Sequence, residues 1–479
     1  MNEKDITSLD AHALSDAIKS RKVSCREVMQ SYLDRIDRVN PGCNAIVSLQ
    51  PRETLLAQAD ERDTQLTRGQ WLGWMHGMPQ AIKDLALTAG IPSTFGSPLY
   101  ANHVPQVDGL IVERVKNAGA IIIGKTNTPE FGYGSQTYNM VFGATRNAWN
   151  RSKCAGGSSG GAAVALALNL LPVADGSDMG GSLRNPAAFN NVFGFRPSAG
   201  RVPKWPANEL FMDQLGVEGP MGRTVSDVAR LLSIQAGYDP RVPLSLGEDP
   251  AVFAQPLQAL EPGARIGWLG DFDRYLPMED GVLELCRGAL GRLQTAGYPV
   301  EEAKLGFEPE RLWSMWLALR SASIAGGKAN DYQDPVRRAQ LKPEAIWEVE
   351  NSLSTSAGEL YRASIERSAW YQHMLKMFDR YDFLALPSAQ VFPFDVSTHW
   401  PSQVAGRAMD TYHRWMEVVI GPTLAGLPVI SVPVGFSEEG LPMGMQLIGR
   451  PRGDLEVLRL AQAYELMTDW WRQSPPDAP

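Results

Sequence analysis

The chain contains 479 residues, of which 44% are hydrophobic and 20% are charged, the composition of a globular protein that can bury a large core. Its formal net charge of -8 argues against nucleic-acid binding, which calls for a basic surface. The 4 cysteines form no C-x-x-C pair, so we expect neither a disulfide framework nor a structural zinc site. The N-terminus has no apolar leader and no apolar run is long enough to span a bilayer, so we expect a cytoplasmic protein without membrane contact.

Helical and strand patterns alternate along most of the chain. Two N-terminal helices are predicted, and the second begins at Ser24, which can form a capping box with Glu27, and ends before Pro41. From about residue 76, short apolar runs alternate with helical patterns and Gly-rich turns, which indicates an α/β sandwich with a largely parallel sheet. The patterns predict strands at 120–123, 171–174, 429–434 and 445–448, and helices at 162–170, over much of 307–380 and at 455–467.

Two stretches match catalytic motifs by their letters. Gly119–Thr126 fits the phosphate-loop pattern G-x-x-x-x-G-K-[ST], but its spacer Ala-Ile-Ile-Ile favours a strand, so we reject nucleotide binding. Gly156–Gly160 fits the nucleophile elbow G-x-S-x-G, although polar, loop-like residues precede it where an α/β-hydrolase has a strand. A catalytic triad with Ser158 would need one of three histidines, none of which has a recognisable signature around it. The sequence leaves this Ser–His triad open as an alternative. These histidines are His373, His399 and His413.

Three other segments fit one site better. In Ala81–Asp84, apolar residues precede Lys83, so this lysine is predicted to lie in the interior. Lysine is rare in a core strand unless it is paired or functional. Gly156–Gly161 consists of six small residues, which let the backbone approach closely. Asp178–Ser182 ends in a serine beside consecutive N–H groups that can form an anion-binding nest. Each segment alone is more often a flexible turn or a surface lysine. Together they supply a nucleophile, a base and oxyanion donors.

These segments resemble the amidase signature hydrolases. The likeness is carried by Lys83, by the Gly-Gly-Ser-Ser-Gly-Gly run, and by Asp178–Arg184, with the family's spacing between Ser158 and Ser182. Further matching segments cover essentially the whole chain, most weakly between about 240 and 380. They are Gly124–Gly132, Gly194–Pro197, Gly219–Met221, Gly426–Ser431 and Gly444–Gly449.

The resemblance implies a Ser–cisSer–Lys triad that needs no metal or cofactor. Ser182 would be the acyl nucleophile, Lys83 the base, and Ser158 the bridge between them, after a cis peptide bond from Gly157. The backbone N–H groups of Met179, Gly180, Gly181 and Ser182 would form the oxyanion hole. Gly132 and Tyr133 would lie near the substrate, and Asp178 and Arg184 would support the turn.

The resemblance also implies one α/β domain with a mixed β-sheet between layers of helices. We expect residues 1–65 to form N-terminal helices, 70–225 the catalytic core, 240–380 a variable, mostly helical region on the substrate side, and 381–470 a return to the sheet. Departures from the family at Ala148 and at Cys154-Ala155 affect loops only.

The expected reaction is hydrolysis of a small carboxamide through an acyl-enzyme. Met179 stands where the glutaminase subunits of amidotransferases usually have Thr, which favours a free-standing amidase with a hydrophobic acyl site. Two alternatives stay open: the glutaminase subunit of a tRNA-dependent amidotransferase, and a non-catalytic binding protein on this fold. We expect neither a nucleic acid nor a membrane as a partner. We expect the chain to form a homodimer. Aromatic and Met residues of 205–215 and 311–323 either line the substrate pocket or belong to the core. They are Trp205, Phe211, Met212, Trp313, Met315 and Trp316.

Overall fold

The computed structural model describes residues 3–476, so the first two and the last three positions of the predicted domain lie outside it. The helices are α1 (Glu3–Ser8), α2 (Ala11–Lys19), α3 (Cys25–Val39), α4 (Arg52–Thr67), α5 (Leu110–Asn117), α6 (Gly160–Ala167), α7 (Arg184–Asn190), α8 (Val225–Gln235), α9 (Val282–Thr295), α10 (Pro309–Gln333), α11 (Pro335–Arg338), α12 (Pro343–Leu353), α13 (Ala357–Arg380), α14 (Ile420–Leu424) and α15 (Asp454–Leu466). The strands are β1 (Ile46–Val47), β2 (Pro79–Lys83), β3 (Ile121–Thr126), β4 (Tyr138–Asn139), β5 (Gly143–Ala144), β6 (Ala174–Asp178), β7 (Phe193–Arg196), β8 (Val217–Gly222), β9 (Ile266–Trp268), β10 (Val300–Glu302), β11 (Phe383–Pro387), β12 (Gln403–Val404), β13 (Arg407–Ala408), β14 (Val429–Phe436) and β15 (Pro442–Ile448).

From Glu3 onwards, the N-terminal region contains four α-helices where the sequence predicts two. The predicted capped helix is α3, and both hydrogen bonds of the capping box between Ser24 and Glu27 are present. Its apolar stripe is buried, as the helical spacing predicts. The pattern misses α4 because this helix buries few apolar residues, so its stripe is sparse. It misses the break between α1 and α2, where the Asp10 side chain caps the second helix.

Most strands belong to one sheet of eight, in the order β10-β9-β11-β15-β14-β7-β8-β6. In this sheet β9 pairs in parallel with β10 and β11, and the other pairs are antiparallel. The predicted mixed sheet is confirmed, whereas the expectation of a largely parallel sheet is wrong. Short connections such as the one between β14 and β15 leave no room for a crossover helix, so these neighbours pair antiparallel.

Helices cover both faces of the central strands. Every residue of β15 is buried, which matches a strand with apolar cover on each side. Two glycines show how closely helices approach this part of the sheet. A β-carbon added at Gly444 would meet Ala188 of α7, and a β-carbon added at Gly449 would meet Val457 of α15. The chain therefore forms the expected helix–sheet–helix sandwich. Among residues 3–476 no helix is long and apolar enough to cross a bilayer.

A smaller sheet brings the lysine strand to the site. Its order is β1-β3-β2, with β2 parallel to β3. The strand β3 contains the predicted strand at 120–123 and continues to Thr126, so the phosphate-loop pattern is indeed a strand. A side-chain bond links this sheet to the large one, because the backbone N–H of Lys83 donates to the Asp175 carboxylate of β6 at 3.1 Å.

One predicted strand lies in the wrong place. The sequence predicts a strand at 171–174, but β6 runs from Ala174 to Asp178. Three of its five residues carry polar side chains, so its pattern is typical of a loop. It pairs with β8 residue by residue, and its carboxylates have buried hydrogen-bond donors that offset the cost of burial. The shift matters because it puts the residues before Ser182 at the end of an ordered strand. The division into four regions stays a prediction.

Candidate active site

Lys83 is the last residue of β2 and is buried. Its Nζ lies 2.8 Å from the hydroxyl oxygens of Ser158 and Ser159, and 3.0 Å from that of Ser177. The Ser177 carbonyl oxygen is 3.3 Å away. An amino group surrounded by hydroxyls at these distances can exchange protons with them.

The electrostatics of this pocket favour a neutral lysine. The pKa of the Lys83 ammonium is lowered to about 7, mainly because burial disfavours the charged form. The carboxylates of Asp175, Asp178 and Glu218 act in the opposite direction, and Lys204 adds to the lowering. Near neutral pH a substantial fraction of Lys83 is therefore unprotonated, which is the state that a base requires.

Ser158 lies in the run of small residues that leads into α6, and the Gly157–Ser158 peptide bond is cis. Two hydroxyls hold the preceding carbonyls. Ser135 donates to the Gly157 oxygen at 2.8 Å, and Thr137 donates to the Gly156 oxygen at 2.8 Å. The resemblance implied this cis bond and the proximity to the lysine, and the structure contains both.

Ser182 lies in the tight turn between β6 and α7. Within residues 3–476, no acceptor receives the backbone N–H groups of Met179, Gly180 and Ser182, so these donors are available to an oxyanion. The Gly181 N–H differs from the expectation, because it donates to the Asp178 carboxylate at 3.0 Å. Gly181 has φ +86°, a left-handed conformation that suits glycine and closes the turn.

The two serine segments meet at the site. The Ser159 N–H donates to the Ser182 carbonyl at 3.3 Å, and the side chains of Ser158 and Ser182 line the same cavity. In the part of the chain that is described, the Ser182 hydroxyl has no hydrogen-bond partner, so the expected bridge from Ser158 to Ser182 is not formed in this conformation. The structure thus contains the contact between Lys83 and Ser158, and the expected contact between Ser158 and Ser182 stays a prediction.

A buried ion network holds the turn. Asp178 accepts bonds from Arg184 Nε and Nη2 at 3.0 and 2.8 Å, from Arg196 at 3.2 Å, and from the Leu183 N–H at 3.1 Å. Burial opposes ionisation of Asp178, but the two guanidinium groups and the N–H donors hold the pKa of this carboxyl well below its usual range. Asp178 and Arg184 thus occupy the supporting positions expected for them. The sequence interpretation missed Arg196.

Both apolar and charged side chains line the cavity at Ser182. The predicted residues Gly132, Tyr133, Met179 and Gly180 line it. Its other apolar side chains are Leu85, Phe131, Val217, Ile324 and Met416. Its charged side chains besides Asp178 are Lys204, Asp213, Glu218 and Arg320. Glu218, Ser159 and Ser177 are further polar groups at the site that sequence patterns missed, although Ser159 lies in the Gly-Ser run.

The aromatic and Met side chains of 205–215 and 311–323 do not line this cavity. Trp313, Met315 and Trp316 belong to the core, so the core interpretation is correct for them. Phe211 and Met212 are exposed. From these two segments the cavity takes Asp213 and Arg320 instead. Trp205 packs under the Arg241 guanidinium.

The histidines needed for a nucleophile elbow lie elsewhere. His373 bonds to the Leu305 carbonyl, His399 stacks on Tyr138, and His413 packs among aromatic rings. None of the three lines the cavity that contains Ser158, among the residues described. The Ser–His alternative is therefore not supported.

Comparisons with known proteins identify the family of this chain. Residues 27–458 match the Amidase family. An acylamidase of Rhodococcus erythropolis is 32% identical over 100% of this chain and 99% of its own length. A subunit of the glutamyl-tRNA(Gln) amidotransferase of Desulforudis audaxviator is 33% identical, with 98% of each chain covered. The structure of a bacterial aryl acylamidase of the amidase signature family superimposes with a TM-score of 0.90 at 29% identity, covering 98% of each chain.

The chain therefore belongs to the amidase family, and the predicted amidase signature fold is confirmed. It is a hydrolase of amide C–N bonds, as the sequence indicates.

Proposed function

We propose that this protein is a free-standing amidase that hydrolyses small carboxamides through an acyl-enzyme on Ser182. The observation that carries the proposal is the 2.8 Å contact between Lys83 Nζ and Ser158 Oγ, in the cavity that Ser182 also lines from the turn after β6. The free N–H groups around Ser182 supply the oxyanion donors that acyl transfer needs.

In the proposed reaction, Ser182 Oγ attacks the amide carbonyl carbon. Its proton moves to Ser158 Oγ, while the Ser158 proton moves to neutral Lys83 Nζ. The tetrahedral oxyanion binds to the N–H groups of Met179 and Gly180. The proton then returns through Ser158 to the leaving nitrogen as the C–N bond breaks. Water repeats the sequence on the acyl-enzyme and releases the carboxylic acid.

The cavity lining favours amide substrates that carry a compact apolar or aryl group. Leu85, Phe131, Tyr133, Ile324 and Met416 contribute apolar side chains to the cavity that contains Ser182. Apolar lining residues favour the binding of a hydrophobic group, because binding removes that group from water. The likeness to an acylamidase and to an aryl acylamidase supports the same substrate class.

The glutaminase subunit of an amidotransferase is the second candidate. Relatives named as subunits of glutamyl-tRNA(Gln) amidotransferases match this chain at similar identity, so overall likeness does not separate the two functions. Met179 favours the first candidate, because its thioether beside the oxyanion donors offers a polar amide little hydrogen bonding.

One assay separates the candidates. The purified chain alone is given aryl, aliphatic and amino-acid amides, with glutamine included. Hydrolysis of anilides by the chain alone is the expected result. Ammonia release from glutamine, and only after partner subunits are added, would contradict the free-standing amidase.

We also propose a cytoplasmic location and a homodimer. The 4 cysteines are unpaired and buried, which fits a reducing compartment. The dimer rests on expectation from the sequence, and sedimentation at micromolar concentration tests it. A monomeric sedimentation coefficient would contradict it.

A further inference from the structure

The cavity holds a carboxylate that the proposed mechanism does not use. Glu218 lies on β8 with 9% of its surface exposed, and it lines the cavity with Ser158 and Ser182. The strand register puts it opposite Ser177, and paired residues on adjacent strands project from the same face. The Ser177 hydroxyl contacts Lys83 Nζ at 3.0 Å, so Glu218 lies beside the reacting groups.

Within the described part of the chain, the Glu218 side chain has no hydrogen-bond or ion-pair partner. The neighbouring buried carboxylates differ in this respect. Asp175 accepts bonds from the Lys83 N–H and from Gln80, and Asp178 accepts several. A buried carboxylate is unfavourable when no hydrogen-bond donor reaches it. A ligand that donates a hydrogen bond to Glu218 is therefore stabilised in this cavity.

The other charged side chains of the cavity do not fill this role. Arg320 is already paired, with its Nε 2.7 Å from Glu348 Oε1. Asp213 accepts a bond from Ser323 at 2.9 Å and is exposed, and Lys204 is exposed as well. The cavity therefore offers a ligand one buried and unpaired ionisable group, the carboxyl group of Glu218.

We propose that Glu218 determines specificity by binding a hydrogen-bond donor of the substrate, an ammonium or amino group carried close to the scissile amide. This inference rests on the proposed function, because it takes the cavity as the place where the amide binds. An N⁺–H to carboxylate bond is stronger than a neutral one, and burial strengthens it further. Burial raises the pKa of Glu218 to about 7, with Lys204 opposing the rise, and a bound ammonium lowers that pKa and keeps the carboxylate ionised.

Two matched substrate pairs test the proposal. Glycine para-nitroanilide and propionic acid para-nitroanilide differ by an ammonium in place of a methyl group on the acyl side. N-acetyl-para-(aminomethyl)aniline and N-acetyl-para-ethylaniline differ in the same way on the amine side. For each pair the ratio of kcat/KM, charged over neutral, is measured in the wild type and in Glu218→Gln. The ratio should fall about tenfold or more in at least one pair.

The ratio separates binding from a change at the base. Glu218→Gln also removes a negative charge near Lys83, while Asp175, Asp178 and Lys204 remain. The acidic limb of the pH–rate profile should therefore move to lower pH for every substrate. Because both members of a pair share this shift, it cancels in their ratio.

A binding measurement makes the test independent of turnover. The same ratios are taken from Kd by calorimetry in a Ser182→Ala background, with and without Glu218→Gln. The matched control is Asp213→Asn, which removes the exposed carboxylate of the same cavity and should leave the ratios within about twofold.

An unchanged Kd ratio in both pairs would overturn the Glu218 proposal, and so would an equal fall in Asp213→Asn. The proposed function fails by a different result, namely full hydrolysis of the neutral anilides by Ser182→Ala. The two failures are thus distinguishable.

Discussion

The Nζ of Lys83 lies 2.8 Å from Oγ of Ser158, with both side chains buried at the junction of two sheets. A lysine in this setting is a base near neutral pH, because desolvation lowers its pKa to about 7. Most of the predictions below depend on this contact.

The first prediction concerns pH. Lys83 must be unprotonated to accept the Ser158 proton, and its pKa is lowered to about 7. Below that pH the lysine is charged and cannot accept a proton, so kcat/KM should rise with pH through about 7 and level off above it. Lys83→Met should stay folded, lose about two to four decades in kcat, and show no acidic limb near pH 7 in the remaining activity. The same limb in Lys83→Met would assign the titration to another group.

The second prediction compares adjacent serines. Both Ser158 and Ser159 lie 2.8 Å from Lys83 Nζ, but only Ser158 of this pair lines the cavity. Ser158→Ala should lower kcat by about two to four decades, because the proton path to Ser182 is broken. Ser159→Ala should cost about tenfold or less, because it removes only a contact that orients the lysine. Steady-state kinetics on one anilide suffice. Equal losses in the two variants would argue against a relay through Ser158.

The third prediction uses two glycines with the same backbone conformation. Gly132 has φ +79°, and a β-carbon there would meet Leu85 at 2.9 Å and Ser158 Oγ at 3.4 Å. Gly143 has φ +81° with nothing within 4 Å. Substitution by Ala should cost each about 1–2 kcal/mol of stability. Only Gly132→Ala should also lower kcat, because the added methyl group forces the Leu85 side chain to move and packs against Ser158 Oγ in the cavity.

Thermal unfolding and kinetics on both glycine variants check this prediction. A normal kcat in Gly132→Ala, with the expected loss of stability, would mean that the position of Ser158 tolerates the added methyl group.

The fourth prediction concerns the ion network. Asp178→Asn leaves Arg184 and Arg196 buried with less negative charge around them, and both side chains are fully buried. Breaking a buried ion pair from one side costs about 3–5 kcal/mol. Urea unfolding should show a loss of this size, and activity should fall because the turn that holds Ser182 loosens. Unaltered stability would contradict the role of Asp178 as the anchor of the turn.

The sequence predicts the chemistry of the site better than its architecture. The segments around Lys83, Ser158 and Ser182 are ambiguous one by one, and their combination and the resemblance to the amidase signature hydrolases single them out. The strand β6 is not predictable in this way. The polar residues Asp175, Ser177 and Asp178 are typical of a loop, and only their partners on other strands identify them as part of a strand. The mostly antiparallel sheet is likewise a property of the pairing of distant strands, which no local pattern contains.

The cavity lining shows the same limit. Phe211 and Trp316 are attractive pocket residues by composition, yet one is exposed and the other is in the core. Arg320 and Glu218 line the cavity instead, and single charged residues in an α/β chain carry no signal of this role. Only the register of β8 with β6 brings Glu218 to the site.

The central claim is that Ser182 is the acylated residue, and covalent trapping tests it most directly. The protein is incubated with a fluorophosphonate, digested and mapped by mass spectrometry, with Ser182→Ala and Ser158→Ala as matched variants. We expect one added probe mass on the peptide that contains Ser182, none in Ser182→Ala, and slow labelling of Ser182 in Ser158→Ala. Labelling on Ser158 in the wild type, with Ser182 unmodified, would contradict the account.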